Sequence, residues 1–259
     1  MINIKSEREI AIMKESCQLA AKTLNFIEDK LEIGMSTEDV NVLCHDFITS
    51  HGAYPSPLNY NGFPKSVCTS LNEVICHGIP STKDKLKDGD ILNIDVTTYY
   101  KKFHGDTNRT FFIGNVAPEI KDLVKVTYQC MMAGIEICKP GTRLGDVGAI
   151  IEEIAGDHGY SVVHEYCGHG IGREFHEEPQ VLHYGKKGTG VEIKPGMTFT
   201  IEPMINLGKR HCKLLKDEWT VVTKDKKPSA QFEHTILITE SGHEILTLDP
   251  DKPYSPTFE

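Results

Sequence analysis

The segments ILNIDVTTY (residues 91–99) and TNRTFFI (residues 107–113) decide the fold of this chain. Both are rich in β-branched and aromatic residues, and only a short polar stretch separates them, so they predict an antiparallel pair of strands. Asp95 lies in the middle of the first segment, and Asp106 lies just before the second. A hairpin can therefore bring the two carboxylates together.

Helical segments flank this hairpin in a regular order. Ser6 and Glu9 can form a capping box ahead of apolar residues at helical spacing, which predicts a first helix. Ser36 or Thr37 can cap a second helix, and Pro118 opens a third. The predicted helices cover residues 6–30, 37–50, 118–139 and 144–158. Because strand-like segments follow each pair of helices, an α+β fold is predicted in which the order helix, helix, strands occurs twice.

The two copies are related by a constant separation of 107 residues. Gly34 corresponds to Gly141, and Asp95 corresponds to Glu202. The other matches are Asp39-Val40 with Asp146-Val147, His51-Gly52 with His158-Gly159, Lys87 with Lys194, and Gly89 with Gly196. This run favours an internal duplication, with halves of about residues 1–115 and 116–259, although coincidence combined with common turn sequences is the alternative. Since no Gly/Ser-rich linker separates the halves, we expect a single domain, 1–259, with one shared core.

Composition excludes several classes of protein. The 259 residues carry a net charge of -9 and a pI near 5.7, without the basic face that displaces counterions from nucleic-acid phosphates. No signal peptide is expected, and no apolar run approaches the roughly 20 residues that span a bilayer. The eight cysteines form no CxxC pair, so free thiols in a reducing cytoplasm are expected and a cysteine zinc site is not.

Acidic residues interrupt predicted strands that are otherwise apolar. Asp95 and Asp106 alone leave two interpretations open, namely a metal pair, or a turn-capping Asp106 with an Asp95 bonded to backbone amides. Glu202 in TFTIEP and Glu233 in AQFEH repeat the pattern. Because a buried carboxylate needs a partner, these acids in two matching hairpins favour a metal site.

A glycine-rich run supplies one more candidate ligand. Residues 167–179 read CGHGIGREFHEEP, in which glycines flank His169 and leave its imidazole uncluttered, and His176 follows seven residues later. A lone histidine is more often structural than a ligand. Together with the acids, however, His169 completes an oxygen-rich set that suits manganese, iron, cobalt or zinc. Two such ions lower the pKa of a shared water and polarise a carbonyl.

With these residues in place, the sequence resembles the methionine aminopeptidases of metallopeptidase family M24, in their short type I form. The resemblance covers nearly the whole chain, and its most specific stretches are VCTSLNEVICHGIP (67–80), the His169 run and FTIEPM (199–204). Neither a zinc-finger extension nor a long helical insertion is present in this sequence. The resemblance implies the pita-bread fold, in which two pseudo-twofold-related halves place antiparallel sheet inside and helices outside.

The resemblance also implies an activity and a set of metal ligands. The enzyme is expected to remove the initiator methionine from nascent polypeptides with a small second residue, by attack of a metal-bridging hydroxide on the methionine carbonyl. Asp106 and Glu233 are expected to bridge two divalent ions, Asp95 to chelate one ion, and His169 and Glu202 to bind the other. Glu202 is also expected to shuttle a proton.

Further roles follow from the same resemblance. His176 is expected to stabilise the oxyanion, and His77 to contact the substrate near the scissile amide. The residues expected to line the methionine pocket are Tyr60, Phe63, Cys68, Phe175 and Trp219. Phe63 departs from the tyrosine that is common in the family, which puts a hydrogen bond at the pocket rim in doubt. The carbonyls expected to hold a monovalent cation, sodium or potassium, are those of Asn72, Val74 and Ser229.

Two rival functions remain open at this level. One is a proline-specific peptidase of the same fold, although such enzymes usually carry an N-terminal domain for which this sequence has no room. The other is a binding protein that kept the fold and lost catalysis, although all the expected ligands and both auxiliary histidines are present. The methionine aminopeptidase interpretation further implies a cytoplasmic monomer that acts on nascent chains, near the exit tunnel of the ribosome, without a membrane or nucleic-acid partner.

Overall fold

The computed structural model describes residues 2–258, and the helices in this range lie close to where the sequence predicts them. They are α1 (Glu7–Glu28), α2 (Thr37–Ser50), α3 (Pro118–Glu136) and α4 (Leu144–Asp157). The predicted capping box of α1 forms, because the Ser6 hydroxyl accepts from the Glu9 N–H. Of the two predicted caps of α2, Ser36 is the one that forms, and its hydroxyl accepts from the Asp39 N–H. No helix in the described part of the chain has both the length and the apolar character that crossing a membrane requires.

Short strands make up the rest of the regular structure. Those of the first half are β1 (Tyr54–Pro55), β2 (Cys68–Leu71), β3 (Val74–Cys76), β4 (Ile91–Tyr100) and β5 (Phe103–Phe112). Those of the second half are β6 (Ser161–Val162), β7 (Gly168–Gly170), β8 (Glu177–Val181), β9 (Thr198–Ile201), β10 (Met204–Asn206), β11 (Cys212–Leu214), β12 (Val221–Thr223), β13 (Ser229–Gln231), β14 (His234–Ile238) and β15 (His243–Ile245).

All strand pairs in the described residues are antiparallel, which confirms the predicted hairpin of β4 and β5. β5 runs along one edge of β4, while β1 and β2 pair with successive parts of the other edge. The second half forms a sheet in the order β15-β14-β9-β7-β8. Two smaller sheets, β13-β10-β6 and β11-β12-β3, complete the fold, and β3 of the first half belongs to the latter.

The two larger sheets meet where β5 approaches β14. The Thr107 hydroxyl donates to the Glu233 carbonyl at 2.7 Å, and the Thr235 hydroxyl donates to the Asp106 carbonyl at 2.7 Å. Helix α1 packs on the β4–β5 hairpin, and a Cβ atom at Gly105 would collide with the backbone of Cys17. Gly105 is therefore needed for close packing, and Asp106 and Glu233 are held at the junction between sheets.

The same local contacts occur in both halves at the separation seen in the sequence. The Gly34 N–H donates to the carbonyl of Leu86, and the Gly141 N–H donates to the carbonyl of Ile193. Ser36 bridges Lys85 in the first half, as Arg143 bridges Glu192 in the second. Both glycines have positive φ values, +93° and +89°, which L-residues rarely adopt. These contacts support the proposal of one domain that consists of two related halves.

Apolar packing differs from the expected common core. One cluster of buried residues packs α1 and α2 against β4, and a second packs α3 and α4 against the strands of the second half. Two smaller clusters join the halves, one around Met13, Phe103 and Ile171, the other around Ile75, Val163 and Met204. The polar junction of β5 and β14 lies between the two larger clusters, so the apolar core is divided.

Candidate metal centre and substrate cavity

A cavity of about 660 Å³ contains the candidate site, and residues of both halves line it. The expected ligands along its wall are Asp95, Asp106, His169, Glu202 and Glu233. The expected catalytic and pocket residues along the same wall are Tyr60, Phe63, Cys68, His77, Phe175, His176 and Trp219. Residues that are far apart in the sequence are thus brought to one place.

Three of the candidate ligands converge on a single point. Each of Asp106, His169 and Glu233 offers a ligand atom, and these atoms lie within 4.8 Å of one another. His169 Nε2 lies 3.6 Å from Asp106 Oδ2 and 3.6 Å from Glu202 Oε1. These gaps exceed an ordinary hydrogen bond, and the donor set of carboxylates and imidazole suits divalent transition metals.

Asp95 provides the test of whether a metal fits. Its Oδ1 atom is buried and has no hydrogen-bond partner among the described residues. Burial raises the pKa of Asp95 well above its usual range, and the nearby Asp106 carboxylate acts in the same direction. A buried carboxylate oxygen without a partner is costly, so a bound divalent cation explains its presence.

The other acids are shifted in the same direction by burial and by one another. Burial raises the pKa of Glu202 to about 7, and burial followed by the charges of Asp106 and Glu202 raises the pKa of Glu233 well above its usual range. Burial alone would lower the pKa of His169, but the Asp106 and Glu202 carboxylates outweigh it and raise that pKa. When these acids are ionised, the site carries an excess of negative charge that a bound cation would offset.

Uncharged side chains orient the ligands, and the sequence did not single them out. The Thr97 hydroxyl donates to Asp106 Oδ1 at 2.7 Å, and Asn108 Nδ2 donates to Glu233 Oε2 at 2.8 Å. The Thr200 hydroxyl donates to Glu202 Oε1 at 2.7 Å. The sequence carried a signal for only one of these partners, because side chains two residues apart in a strand share a face, which places Asn108 on the same face of β5 as Asp106. Such outer partners fix ligand geometry.

Backbone contacts fix the orientation of His169. Its Nδ1 lies 3.0 Å from the carbonyl of Gly170, to which a protonated Nδ1 donates, so Nε2 is the ring nitrogen that faces Asp106 and would be available to a metal. The flanking glycines have a packing role. A Cβ at Gly168 would lie 2.5 Å from the carbonyl oxygen of Thr200, and one at Gly170 would collide with the backbone of Glu178. Neighbouring strands can therefore approach β7 closely.

The two auxiliary histidines lie beside this centre. The ring centroid of His176 is 4.2 Å from that of His169, and its Nδ1 is 2.8 Å from the Tyr60 hydroxyl. Burial lowers the pKa of His176 to about 4, and the neighbouring His169 adds to this. Burial also lowers the pKa of His77, which sits at a φ of +56°. Both rings are therefore neutral near pH 7.

Aromatic rings form an apolar wall next to the histidines. The Phe63 and Trp219 centroids are 5.2 Å apart in an edge-to-face arrangement, and the Tyr60 and Phe175 centroids are 4.9 Å apart. Cys68 is buried in β2 opposite Asp95. An unbranched, polarisable side chain suits a wall of this kind.

The three residues expected to hold a monovalent cation lie at one junction. The Ser229 N–H donates to the Asn72 carbonyl at 2.9 Å, and Val74 lies in β3, which begins two residues after Asn72. Asn206 faces Ser229 in the β10–β13 ladder, and its Oδ1 is buried without a partner among the described residues. The junction therefore offers an oxygen that is not otherwise satisfied.

Two site residues differ from their expected placement within strands. Glu202 follows the end of β9, since its N–H donates to His183 Nε2 at 3.1 Å and the next residue, Pro203, has no N–H to continue a ladder. Glu233 lies between β13 and β14. Asp106, expected at the start of a strand, lies inside β5 opposite Thr97.

Comparisons with known proteins agree with this geometry. A model of metallopeptidase family M24 matches residues 11–240. The chain is 53% identical to a methionine aminopeptidase of Rickettsia prowazekii over 258 residues, 99% of each chain. The crystal structure of methionine aminopeptidase from Rickettsia prowazekii superposes with a TM-score of 0.94 at 54% identity, over 96% of this chain and 100% of that chain. One from Thermotoga maritima superposes with a TM-score of 0.94 at 40% identity, over 95% and 99%.

Proposed function

The chain belongs to the methionine aminopeptidases of metallopeptidase family M24, which remove N-terminal methionine, and we propose that it does so with two divalent ions in the cavity described above. The observation that carries this proposal is the convergence of ligand atoms from Asp106, His169 and Glu233 within 4.8 Å, beside an apolar wall. The rival functions, a proline-specific peptidase and a non-catalytic binding protein, lose their support because of the high identity to methionine aminopeptidases.

The candidate ligands divide between two ions. Asp106 and Glu233 would hold both ions, Asp95 would hold one, and His169 and Glu202 would hold the other. The buried Oδ1 of Asp95, which lacks a partner among the described residues, supports this assignment. When bound, the ions lower the pKa of a water and polarise the substrate carbonyl. Cobalt, manganese, iron and zinc all suit this donor set, and metal analysis of the purified protein distinguishes them.

The chain's own side chains bind and orient the substrate. The methionine side chain packs against the wall that includes Phe63, Phe175 and Trp219, which excludes water from the reacting centre. His176, a neutral ring beside His169, donates a hydrogen bond to the carbonyl oxygen as negative charge develops there. His77 contacts the substrate near the scissile amide. Glu202, oriented by Thr200, moves a proton to the leaving amine.

Further parts of the proposal concern ions and partners. The carbonyls of Asn72, Val74 and Ser229 hold sodium or potassium, and the Oδ1 of Asn206, which has no partner within residues 2–258, supports a cation there. The protein acts as a monomer on nascent chains in the cytoplasm, near the ribosomal exit tunnel.

A peptide assay tests the function directly. Protein stripped with a chelator and reloaded with manganese or cobalt is expected to release methionine from Met-Ala-Ser. Met-Ile-Ser is the matched control, because its β-branched second residue is expected to be excluded from the space beside the ligands. Ala-Pro distinguishes a proline-specific peptidase. Hydrolysis of Ala-Pro without release of methionine from Met-Ala-Ser would contradict the proposal.

A further inference from the structure

The segment before α1 makes a buried ion pair with the loop that carries Phe175 and His176. Lys5 Nζ lies 2.6 Å from Glu177 Oε2, and the two side chains are only 5% and 6% exposed. The Lys5 N–H donates to the carbonyl of Gly196 at 2.8 Å, which fixes the segment from its other side. Asn3 Nδ2 adds a second donor to Glu177 Oε2 at 3.1 Å.

Two glycines make room for this segment. A Cβ atom at Gly172 would lie 2.6 Å from Lys5 Cε and 2.7 Å from Glu177 Oε1. A Cβ at Gly196 would lie 2.6 Å from Ile4 Cγ2. The ion pair is therefore packed directly on the backbone of the His169 run. That contact explains Gly172, a glycine of the motif to which the catalytic proposal gives no role.

The loop from Gly172 to Glu177 is anchored at its first residue and is also bonded within itself. The His104 N–H donates to the Gly172 carbonyl at 2.8 Å, and the Glu174 N–H donates to Glu177 Oε1 at 3.3 Å. His176 immediately precedes Glu177 in the chain, so a backbone shift at Glu177 would shift His176 as well. Phe175, which lines the cavity, lies one residue further back.

Energetic considerations favour a geometric role for this pair. A buried ion pair contributes little net stability, because desolvation offsets its Coulomb attraction, but loss of one partner leaves an uncompensated buried charge. Among the Lys and Arg ion pairs within residues 2–258, this is the one in which both side chains are less than a tenth exposed. Surface pairs such as Lys14 with Glu244 are 37% and 44% exposed.

We propose that Lys5 is a positioning residue for catalysis, which fixes Glu177 and thereby places His176 and Phe175 in the cavity. The proposal rests on the roles assigned to His176 and Phe175 under the proposed function. It adds that a residue outside the cavity, in the segment before the first helix, sets the geometry of the transition-state contact.

The test compares Lys5→Met with Lys14→Met, which removes an exposed lysine of the same region from its own ion pair. Both proteins are loaded with manganese, and kcat, KM and metal content are measured with Met-Ala-Ser. Lys5→Met is expected to lower kcat/KM by about ten- to a hundredfold, mainly in kcat, because small misplacements of catalytic groups have effects of that size. The metal content of Lys5→Met is expected to stay at the parent level. Lys14→Met is expected to match the parent in kcat, KM and metal content.

Two further variants separate positioning from general loss of structure. Lys5→Arg keeps the charge and is expected to retain most of the activity. Lys5→Met combined with Glu177→Gln removes the uncompensated carboxylate and is expected to regain roughly threefold or more over Lys5→Met alone. Asn3→Ala, which removes one hydrogen bond from an exposed side chain, provides a mild variant should Lys5→Met fail to fold, and is expected to lower kcat by about twofold.

Trypsin supplies a readout that does not depend on activity. Arg173 lies within the loop with a side chain that is 55% exposed, and cleavage after it reports opening of the loop. Trypsin is expected to cleave Lys5→Met after Arg173 faster than it cleaves the parent, and to cleave Lys14→Met at the parent rate. Parent-like kcat and cleavage in Lys5→Met, or a loss of activity that follows loss of metal, would overturn the positioning role. If the parent itself released no methionine, the proposed function would fail instead.

Discussion

At the scale of single residues, the site contains two kinds of side chain: candidate metal ligands, and uncharged side chains that orient them. Asp106 shows this difference most directly. Its Oδ2 faces His169 and the convergence point, while its Oδ1 accepts from Thr97. One oxygen is thus satisfied by the protein, and the other is directed at the position proposed for a metal.

Asp106→Ala is expected to abolish both metal binding and activity. Asp106 is proposed to hold both ions, and its loss also leaves two cations with too little negative charge around them. Because outer-sphere changes alone lower affinity or activity by 10–100-fold, a ligand change is expected to cost roughly a hundredfold or more. Metal stoichiometry and the Met-Ala-Ser rate are measured together. An unchanged rate at saturating metal would sink the two-ion assignment.

His176→Ala is expected to separate turnover from metal binding. The ring lies beside His169 but is not part of the cluster of ligand atoms, so its loss should leave metal content unchanged. Loss of one donor to a developing oxyanion lowers kcat by about a hundred- to a thousandfold. Tyr60→Phe is the matched variant, because it removes only the hydroxyl that contacts His176. Metal lost in parallel with activity would make His176 a ligand.

The acidic candidate ligands could be singled out from the sequence because an acid in an otherwise apolar segment stands out by residue type. Thr97, Asn108 and Thr200 could not, because such residues are common in strands and their partners depend on register. Lys5 gave no signal either, since its contact with Glu177 joins positions 172 residues apart. Residue type is enough to indicate a candidate ligand in the sequence. The side chains that orient that ligand become apparent only in the folded structure.

At the scale of elements, local chemistry explains which boundaries were predictable. The capping boxes of α1 and α2 are local patterns, and both helices begin where they were expected. The third helix ends at Glu136 rather than 139, because Pro140 disfavours helical geometry in the residue before it. The β4–β5 connection was predicted too long, because Lys101 and Lys102 form a tight turn with φ of +49° and +72° without the usual Asn-Gly signal.

Ser36→Ala is expected to destabilise the protein without altering catalysis. The Ser36 hydroxyl caps α2, is buried, and exchanges hydrogen bonds with Asp39. Loss of such a cap costs about 1 kcal/mol, which lowers the Tm of a chain of this size by roughly 2–4 °C. Ser50→Ala, at the exposed end of the same helix, is the control and should change Tm little. Equal Tm values for both variants would show that the cap does not stabilise α2.

At the scale of the whole molecule, two apolar cores enclose a polar junction. Carboxylates from both halves meet there because β5 and β14 are joined through Thr107 and Thr235. Nearby like charges repel, and burial strengthens the repulsion. The arrangement stabilises the fold only when a cation or protons offset the charge, so the metal is expected to contribute to stability as well as to catalysis.

The contribution of the buried acids to stability without metal is therefore expected to depend on pH, in the direction opposite to that of buried histidines such as His176, whose lowered pKa costs stability as the pH falls. Burial raises the folded-state pKa of Glu202 from 4.5 to about 7, and the pKa values of Asp95 and Glu233 are raised as well. For an acid with a raised pKa, the folded state binds protons more tightly than the unfolded state does. The resulting stabilisation is complete below pH 4.5 and is lost as the pH rises through about 7.

Thermal unfolding at pH 5 and pH 7.5, with chelator or with excess manganese, measures this dependence. Relative to a Glu202→Gln variant, which keeps the same histidines, the chelated parent is expected to lose Tm between pH 5 and pH 7.5. Because metal replaces the protons, the loaded protein should keep its Tm at pH 7.5, with about 3 kcal/mol of added stability at a hundred times the Kd. Glu202→Gln cannot ionise at this position and therefore lacks the contribution of Glu202 to the pH dependence of the chelated protein. If the Tm of the chelated parent and that of chelated Glu202→Gln changed equally between pH 5 and pH 7.5, ionisation of Glu202 would carry no cost in the folded protein, and the argument for a metal from uncompensated charge would fail with it.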